Sequence, residues 1–395
     1  MNGHRQNLRG GGRVPAKVAY VAAVDLTIRF LLQNGLLYLQ SQGYEVAAVC
    51  SPGPWLKKVQ EEGIPVHPVP MSRDISPLPD LRALVQLTAL FRQNRFDMVH
   101  THTPKANLLG RLAARMAGVP VICGTEHGFY FYGMSGWQRW LHRLWSKWGA
   151  YCSDVTFLVN EEDLETARRE EILPPRKVRF LEGGTGVDLD RFRLQGLRAE
   201  TRRSLGIEDS TPVVGIVARL THEKGYREFL QAAARVRDQH PNTRFLSVGP
   251  SDATDQSEFK ALASQLGISG AIDFLGMRLD MPALYEAMDI VVLPSYREGM
   301  PVTLMEAAAM ERPVVATDIR GCRDVVSEGE TGLLVPPQDS EALAAAIASL
   351  LSDPEQRHWM GLAGRCRAER LFDQRKVFAQ VETVYRQLLR RKGVG

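Results

Sequence analysis

Short runs of apolar residues alternate with helix-like segments along almost the whole chain. Most of these runs are apolar at every position, which is typical of parallel strands buried on both faces. We expect strands at 17–23, 45–50, 97–102, 119–124, 154–160 and 177–182 in the first half, and at 212–218, 244–249, 271–276, 289–295, 313–317 and 332–335 in the second. The alternation predicts an α/β protein with two doubly wound sheets.

A glycine-rich stretch divides the two halves. The sequence EGGTGVDLDRF at 182–192 follows a predicted strand and precedes a charged helix, so we expect a hinge there. We therefore expect an N-terminal domain over 15–186 and a C-terminal domain over 187–372. Residues 1–14 lack the apolar core of a signal peptide and are interpreted as a flexible tail. The end of the chain, 373–395, predicts an amphipathic helix that packs back on the N-terminal domain.

Composition narrows the class of protein. Of the 395 residues, 44% are hydrophobic and 24% charged, which excludes a disordered chain. The net charge of +4 is too small for this length to indicate nucleic-acid binding. The five cysteines are scattered without a C-x-x-C pair, which argues for a reducing compartment and against a structural zinc site. No apolar run reaches the roughly 18 residues of a membrane span, so we expect a cytoplasmic protein.

Two familiar phosphate-binding motifs are missing. No G-x-G-x-x-G follows the first predicted strand, and no G-x-x-x-x-G-K-[ST] occurs anywhere. A nicotinamide enzyme and a P-loop ATPase are therefore disfavoured. Two doubly wound sheets still predict a ligand at the carboxyl ends of their strands, so phosphate must be bound in another way.

The first candidate site is the segment GIVARLTHEKG at 215–225. Arg219 follows a buried strand, while Lys224 and Gly225 open the next helix. Two cations and a helix N-terminus converge there, which suits a diphosphate. The alternative is a pair of solvated loop cations, and the segment by itself does not decide between them.

The second candidate site is the segment SYREGMPVTLME at 295–306. Pro301 suits the first turn of a helix, which puts Glu298 in the preceding loop and Glu306 inside the helix. Carboxylates beside a phosphate site accept hydrogen bonds from sugar hydroxyls, and the amides of Gly299 and Met300 would face the cleft. The alternative, two solvated charges at a helix end, leaves the Gly-Met-Pro loop unexplained.

Together the two segments resemble glycosyltransferase family 4. Glu298-x7-Glu306, preceded about eighty residues earlier by Arg219 and Lys224, carries the resemblance, which covers nearly the whole chain after the tail. The segments VHTHTPKANLLGRLAARMAGVP and GTEHGF are most similar to bacterial capsule and lipid-linked oligosaccharide enzymes. The resemblance implies a retaining, metal-independent enzyme of the GT-B fold, with two Rossmann-like domains facing across a cleft. It also implies a UDP-sugar donor carrying a hexose or N-acetylhexosamine, and a saccharide or lipid-linked acceptor.

The resemblance also implies roles for individual residues. Arg219 and Lys224 would hold the donor diphosphate and stabilise its departing charge, and Glu306 would bind the ribose hydroxyls. Glu298 would hold sugar hydroxyls, and His127 would reach the sugar from the N-terminal domain. The remaining donor-binding residues implied are Gly299, Met300 and Pro301 in the loop, and Met277 and Arg278 beside the base. Front-face transfer, in which the leaving diphosphate takes the acceptor proton, is implied as well.

The chain departs from the family pattern near its start. Many relatives carry a Gly-Gly pair after the first strand, where this chain has AAVDLT at 22–27. Thr27 is our candidate for the N-terminal donor contact. The only Asp-x-Asp, Asp188-Leu-Asp190, is interpreted as a capping turn rather than a metal site.

Two further segments leave alternatives open. His100 and His102 fall on one face of a strand. A zinc site would lack a third ligand at a suitable spacing. We therefore expect the two histidines either to line the cleft or to cap the next helix. Lys105 would meet an anionic acceptor or lie on the surface, with the surface preferred. The segment WQRWLHRLWSKWGAY at 137–151 is either a helix packed on the sheet or a peripheral membrane contact on the inner face of the cell membrane. Its tryptophans are Trp137, Trp140, Trp145 and Trp148.

Two rival functions remain at this stage. A UDP-sugar epimerase shares the fold and would consume the donor without an acceptor. A non-catalytic nucleotide-sugar-binding subunit would bind without turnover, although Arg219, Lys224, Glu298 and Glu306 are all present.

Overall fold

The structure is a computed structural model that describes residues 15–72, 76–129, 131 and 136–394. The predicted tail over 1–14 lies outside the described residues. The N-terminal domain contains a seven-stranded parallel sheet with the order β3-β2-β1-β4-β5-β6-β7. Its strands are β1 Lys17–Val21, β2 Glu45–Cys50, β3 Val66–Pro68, β4 Met98–His102, β5 Val121–Glu126, β6 Val155–Leu158 and β7 Val178–Phe180.

The C-terminal domain contains a six-stranded parallel sheet with the order β10-β9-β8-β11-β12-β13. Its strands are β8 Val213–Val217, β9 Arg244–Val248, β10 Ile272–Gly276, β11 Ile290–Leu293, β12 Val314–Thr317 and β13 Gly332–Val335. All twelve predicted strands are present, and the α/β class with two doubly wound sheets is confirmed. The sequence analysis missed β3, a three-residue edge strand that ends at a proline.

Helices connect the strands and cover both faces of each sheet. In the N-terminal half they are α1 Asp25–Thr27, α2 Gln33–Ser41, α3 Leu56–Glu61, α4 Pro77–Asn94, α5 Pro104–Ala117, α6 Gly136–Cys152 and α7 Glu161–Arg169. In the C-terminal half they are α8 Arg198–Ser204, α9 Tyr226–Gln239, α10 Ala253–Gln265, α11 Met281–Ala287, α12 Val302–Ala309, α13 Cys322–Val325, α14 Ser340–Ser352, α15 Pro354–Arg367 and α16 Gln374–Arg391. Within the described ranges, no helix combines the length and apolar character needed to cross a bilayer.

The continuous apolar runs are explained by burial on both faces of the sheets. In β1, Val18 and Tyr20 belong to one buried cluster, whereas Ala19 and Val21 belong to another on the opposite face. Successive side chains of a strand point to opposite faces, so both sets must be apolar.

The last helix, α16, returns to the N-terminal domain. Its residues Val377, Val381 and Tyr385 are buried in the same cluster as Val18 and Tyr20 of β1. The chain therefore passes between the domains twice, once after β7 and once before α16. The side chain of Asp373 accepts a hydrogen bond from the backbone N–H of Arg375 at the start of this helix.

The two passages run side by side at the hinge. The backbone N–H of Val187 donates to the carbonyl of Phe372 at 2.7 Å. Gly186 has φ of +69°, and a Cβ on it would lie 2.5 Å from the Cα of Gln374. Only glycine combines this backbone conformation with so close an approach. This part of the predicted hinge is therefore a tight backbone crossing.

Candidate functional site

A cleft of about 510 Å³ lies between the carboxyl ends of the two sheets. Its wall includes nine of the predicted site residues: Thr27, His127, Arg219, Lys224, Met277, Glu298, Gly299, Met300 and Pro301. Thr27 and His127 come from the N-terminal domain and the others from the C-terminal domain. Glu306 and Arg278 are not part of this wall.

The positive end of the cleft is formed by the segment after β8. Arg219 is exposed, and Lys224 ends a short 3₁₀ turn over His222–Lys224. Gly225 then takes φ of +71°, and a Cβ on it would lie 2.0 Å from the carbonyl oxygen of Pro294. Glycine is required because the turn packs directly against the end of the neighbouring strand. The segment after β8 therefore places both Arg219 and Lys224 in the wall of the cleft.

Lys224 and Glu298 form an ion pair across the cleft floor. The Nζ of Lys224 lies 2.6 Å from the Oε1 of Glu298, and both side chains are largely buried. A charge-assisted bond of this length holds both groups in place. The two predicted site segments are thus joined directly by their side chains.

The loop 298–301 is held by close backbone contacts with both domains. A Cβ on Gly299 would lie 1.8 Å from the carbonyl oxygen of His127, and one on Gly128 would lie 2.7 Å from the Cα of Gly299. The side-chain amide of Asn160 donates to the Gly299 carbonyl at 3.0 Å. Pro301 caps α12, which begins one residue later than a proline in its first turn would place it.

Glu306 lies one turn into α12, behind the cleft wall. Its Oε2 accepts a hydrogen bond from the Tyr285 hydroxyl at 2.8 Å. Burial raises the pKa of Glu306 to about 7, although this bond and the nearby Arg191 oppose the rise. Arg278 is likewise engaged elsewhere, because its guanidinium makes two bonds to the carboxylate of Asp280.

His127 is partly exposed and is grouped with two buried histidines, His100 and His102. Its Nε2 lies 3.1 Å from the Nδ1 of His102, whose ring lies 4.2 Å, centroid to centroid, from that of His100. His100 also contacts the hydroxyls of Thr125, at 2.8 Å, and Tyr385. Burial lowers the pKa of His127 to about 4 and those of His100 and His102 well below their ordinary value. All three rings are therefore neutral near pH 7.

Both predictions for His100 and His102, that they line the cleft or cap the next helix, are wrong. Both are buried, and the start of α5 carries no side-chain cap. Only His127 of the three reaches the cleft wall. Among the described residues, no cluster of three or more His, Cys, Asp or Glu side chains could hold a metal ion.

The preferred surface position of Lys105 is wrong. Its Nζ is 2.7 Å from the Oδ1 of Asp80, and its side chain is largely buried. Asp80 lies in the first turn of α4, a neighbouring helix whose proximity the sequence does not reveal. The capping turn at Asp188 is observed, since its carboxylate accepts the backbone N–H of Asp190 and Arg191.

The sequence analysis missed a group of three residues that joins the domains, called here the interdomain clamp: Asn160, Asp163 and Arg320. Asp163 is fully buried and pairs with Arg320 of the C-terminal domain. Arg320 also donates to the carbonyl of Phe129 at 2.7 Å. Asn160 caps α7 by accepting the backbone N–H of Asp163, which the Asn-x-x-Asp spacing could have indicated. Its contact with Gly299 has no sequence signal.

The aromatic helix α6 presents most of its tryptophans to solvent. Trp137, Trp140 and Trp148 are 69%, 64% and 58% exposed, whereas Gly149 is buried on the inner side. Trp145 faces inward, lining a small cavity with Arg111. The neighbouring helices α4 and α5 also expose large apolar side chains, namely Leu78, Leu81, Val85, Leu112 and Met116. The predicted aromatic arc is therefore divided between the two sides of the helix.

Comparison with known protein families gives two matches that together span most of the chain. The family described as "Glycosyl transferase 4-like domain" matches residues 36–184, and "Glycosyl transferases group 1" matches residues 198–367. The first match covers β2–β7 of the N-terminal sheet, and the second covers the whole C-terminal sheet.

Two relatives are similar over nearly their full length. The chain is 27% identical to capsular polysaccharide biosynthesis glycosyltransferase CapM of Staphylococcus aureus, over 95% of this chain and 98% of that protein. It is 28% identical to an Escherichia coli UDP-Gal:alpha-D-GlcNAc-diphosphoundecaprenol alpha-1,3-galactosyltransferase, over 85% and 88% respectively.

A solved structure confirms the fold. Anabaena Alr3699/HepE, crystallised with UDP and glucose, superposes with a TM-score of 0.82 at 19% identity, over 94% of this chain and all of that one. The likeness establishes the GT-B arrangement of two facing Rossmann-like domains.

Proposed function

Because this chain belongs to glycosyltransferase family 4, we propose that it transfers a hexose or N-acetylhexosamine from a UDP-sugar, with retention and without a bound metal. The acceptor is a saccharide or a polyprenyl-diphosphate-linked glycan, used in making a capsular or other surface polysaccharide. The proposal is supported chiefly by one observation: a single interdomain cleft contains Arg219, Lys224, Glu298 and His127.

The diphosphate of the donor binds at Arg219 and Lys224 in this proposal. Arg219 offers a planar fork and Lys224 a point charge, which together balance the charge of a diphosphate without a metal. As the bond from the anomeric carbon to the diphosphate breaks, charge builds up on the departing oxygens. Cations fixed in the closed cleft then stabilise the transition state more than the ground state.

Glu298 changes partner when the donor binds. In the free enzyme it neutralises Lys224 at 2.6 Å. A diphosphate competes for the Lys224 ammonium, and the released carboxylate accepts hydrogen bonds from hydroxyls of the sugar. His127 approaches the same sugar from the N-terminal domain. Thr27 supplies a further contact from α1.

The nucleoside lies on the outer side of the diphosphate. We place the base beside Met277, where β10 ends, with Arg278 at its edge. The ribose hydroxyls contact Glu306, which must then turn from Tyr285 toward the cleft. Uridine is favoured over other bases because the E. coli relative is named for a UDP-sugar and HepE was crystallised with UDP.

Retention follows from front-face transfer. Among the described residues that line the cleft, Glu298 is the only carboxylate, and in this proposal it binds sugar hydroxyls rather than attacking the anomeric carbon. In our proposal the acceptor hydroxyl attacks the anomeric carbon on the face that the diphosphate leaves. Its proton passes to a diphosphate oxygen, so no enzyme base is needed.

The acceptor side faces a membrane in this proposal. The exposed face of α6 carries Trp137, Trp140 and Trp148 beside Lys147, a composition suited to a membrane interface. A polyprenyl-linked acceptor would be reached from that surface. The enzyme is then a peripheral protein on the inner face of the cell membrane.

Nucleotide titration tests the donor site directly. UDP, GDP and ADP are titrated calorimetrically in EDTA into wild type, R219A and R203A. The variant R203A is the matched control, because Arg203 is exposed on α8 and its replacement removes one cation away from the cleft. We expect UDP to bind best to wild type and R203A, with affinity at least 10-fold weaker in R219A. Preference for GDP or ADP would overturn the donor, and absence of nucleotide binding would overturn the site.

Product analysis then separates transfer from its rivals. With a UDP-hexose, a UDP-N-acetylhexosamine and a lipid-linked acceptor, transfer forms a new glycoside and free UDP. An epimerase would isomerise the donor without an acceptor. A binding subunit would do neither across a broad acceptor panel.

A further inference from the structure

A second, much smaller cavity lies behind His127, on the side away from the C-terminal domain. It measures about 40 Å³ and is lined by apolar side chains, among them those of α2 and α16, and by polar side chains that include His100, His102 and Thr185. Two of its wall residues have a buried polar atom without a hydrogen-bond partner within the described part of the chain: Nε2 of His102 and Oγ1 of Thr185. His102 is 4% exposed. An unpartnered ring nitrogen in such a place constrains where the protons of this histidine pair can be.

Only one proton lies between the two rings. Because His127 and His102 are both neutral, the contact between Nε2 of His127 and Nδ1 of His102 has a single hydrogen. If His102 donates, the hydrogen of His127 is on Nδ1. If His127 donates, its Nδ1 is bare and the hydrogen of His102 moves to the unpartnered Nε2. The two arrangements present opposite groups to the cleft.

The unpartnered Nε2 of His102 decides between these arrangements. A buried N–H without an acceptor costs about 1–3 kcal/mol, whereas a bare ring nitrogen keeps only an unused lone pair. This difference favours His102 as the donor to His127.

We propose that His102 is a positioning residue that holds His127 in the Nδ1–H form, so that His127 is a hydrogen-bond donor toward the cleft. Nδ1 of His127 has no partner among the described residues and is the ring nitrogen left for a ligand. A donor at this point stabilises an oxygen of the sugar or diphosphate and cannot remove a proton from it. The ligand's identity rests on the proposed function, whereas the tautomer does not.

The tautomer is measured on the free wild-type protein labelled with ¹⁵N-histidine. The ¹⁵N shifts distinguish a protonated ring nitrogen from a bare one, and H127Q and H102Q assign the signals. We expect protonated Nδ1 and bare Nε2 in both residues. A protonated Nε2 on His127 would overturn the proposal. No substrate is involved, so this result stands even if the donor or acceptor is misassigned.

Two substitutions test the consequence for turnover. Asn at position 102 places an amide where Nδ1 lies and retains a donor to His127, whereas Gln places it where Nε2 lies and removes that donor. We expect H102Q to lower kcat by about 10-fold with the donor KM little changed, and H102N to retain most of kcat. Y385F is the control, because it removes a buried hydroxyl from His100 and spares the His102–His127 contact.

Equal loss of kcat in H102N and H102Q would contradict the proposal, as would a loss in Y385F as large as that in H102Q. The ¹⁵N spectrum of H102Q gives a readout that a merely structural role would not change. We expect it to show His127 with its hydrogen redistributed between the two ring nitrogens. An unchanged His127 spectrum in H102Q would mean that His102 does not fix the tautomer.

Discussion

Arg320 of the C-terminal domain and Asp163 of the N-terminal domain form an ion pair that is almost completely buried. Asp163 also accepts the backbone N–H of Phe129 at 2.9 Å, two residues after His127, and bonds to Asn160, which contacts Gly299. One carboxylate therefore links both sides of the cleft. The same group thus positions both His127 and the loop 298–301.

Breaking this pair should destabilise the folded protein strongly. R320Q leaves Asp163 buried without its charge partner, which costs about 3–5 kcal/mol in the free energy of unfolding. R323Q is the matched control, because Arg323 and Glu162 form an exposed ion pair between the same domains, at 2.7 Å, worth about 0–1 kcal/mol. Urea unfolding of both variants, with D163N and the double variant, measures the difference. Additive losses for R320Q and D163N would show that the pair is not coupled.

The Lys224–Glu298 pair predicts opposite effects on nucleotide binding. K224A removes a cation from the diphosphate, so UDP affinity and kcat/KM both fall, the latter by about 100-fold or more. E298Q removes the carboxylate that competes for Lys224, so UDP should bind as tightly as in wild type or more tightly. Turnover should still fall in E298Q because the sugar loses an acceptor. Calorimetry and steady-state kinetics test both, and weaker UDP binding by E298Q would refute the exchange of partners.

Gly299 is predicted to tolerate no side chain. In G299A the new Cβ would meet the carbonyl oxygen of His127 at 1.8 Å, so the loop or the domain contact must move. We expect kcat to fall by about 100-fold, since a displacement of about 1 Å at a catalytic site costs this much. G270A is the control, because nothing lies within 4 Å of a Cβ there and its φ is not left-handed. Near-normal turnover of G299A would mean that this domain contact is not used in catalysis.

Stability should fall as the pH drops from about 6.5 toward 4. The pKa of His127 is lowered to about 4 by burial, so between these values the unfolded chain binds a proton that the folded protein does not. The free energy of unfolding therefore decreases with falling pH, by about 2 kcal/mol for His127 at pH 5. His100 and His102 act in the same direction. Urea unfolding at several pH values should give a shallower slope for H127Q than for wild type or the exposed-site variant H358Q.

The exposed tryptophans should govern vesicle binding. We expect the triple variant W137S/W140S/W148S to lose most of its flotation with anionic vesicles while keeping UDP affinity. W359S is matched in exposure, since Trp359 is 69% exposed on α15 of the C-terminal domain, and should bind vesicles like wild type. Equal binding of the triple variant and wild type would exclude this face as the membrane contact.

The sequence predicted most of the fold and much of the cleft because both depend on local signals. Buried parallel strands produce continuous apolar runs, and Arg219 and Glu298 each follow such a run, so strand ends and site residues were found together. Such local reasoning missed β3, whose three residues leave too little pattern.

Long-range pairing is what the sequence could not supply. Asp163 and Arg320 are 157 residues apart and belong to different domains, and Asp80 reaches Lys105 from a different helix. The orientation of α6 also depends on contacts between residues that are distant in the sequence. Its periodicity predicts that Trp137 and Trp148 share a face. That face is exposed because Gly149 and Ala150 lie on the buried side of the helix, where a Cβ on Gly149 would lie 3.0 Å from Arg111 of α5.

The return of α16 to the N-terminal domain sets the order of events on the ribosome. The surface of β1 formed by Val18 and Tyr20 stays uncovered until Val377 and Tyr385 have been synthesised, after the whole C-terminal sheet. The first domain to emerge is thus the last to be completed, in contrast to the usual domain-by-domain order. A nascent chain that stops before 373 exposes an apolar surface suited to chaperones and to aggregation. Synthesis of α16 therefore completes the apolar core of the N-terminal domain.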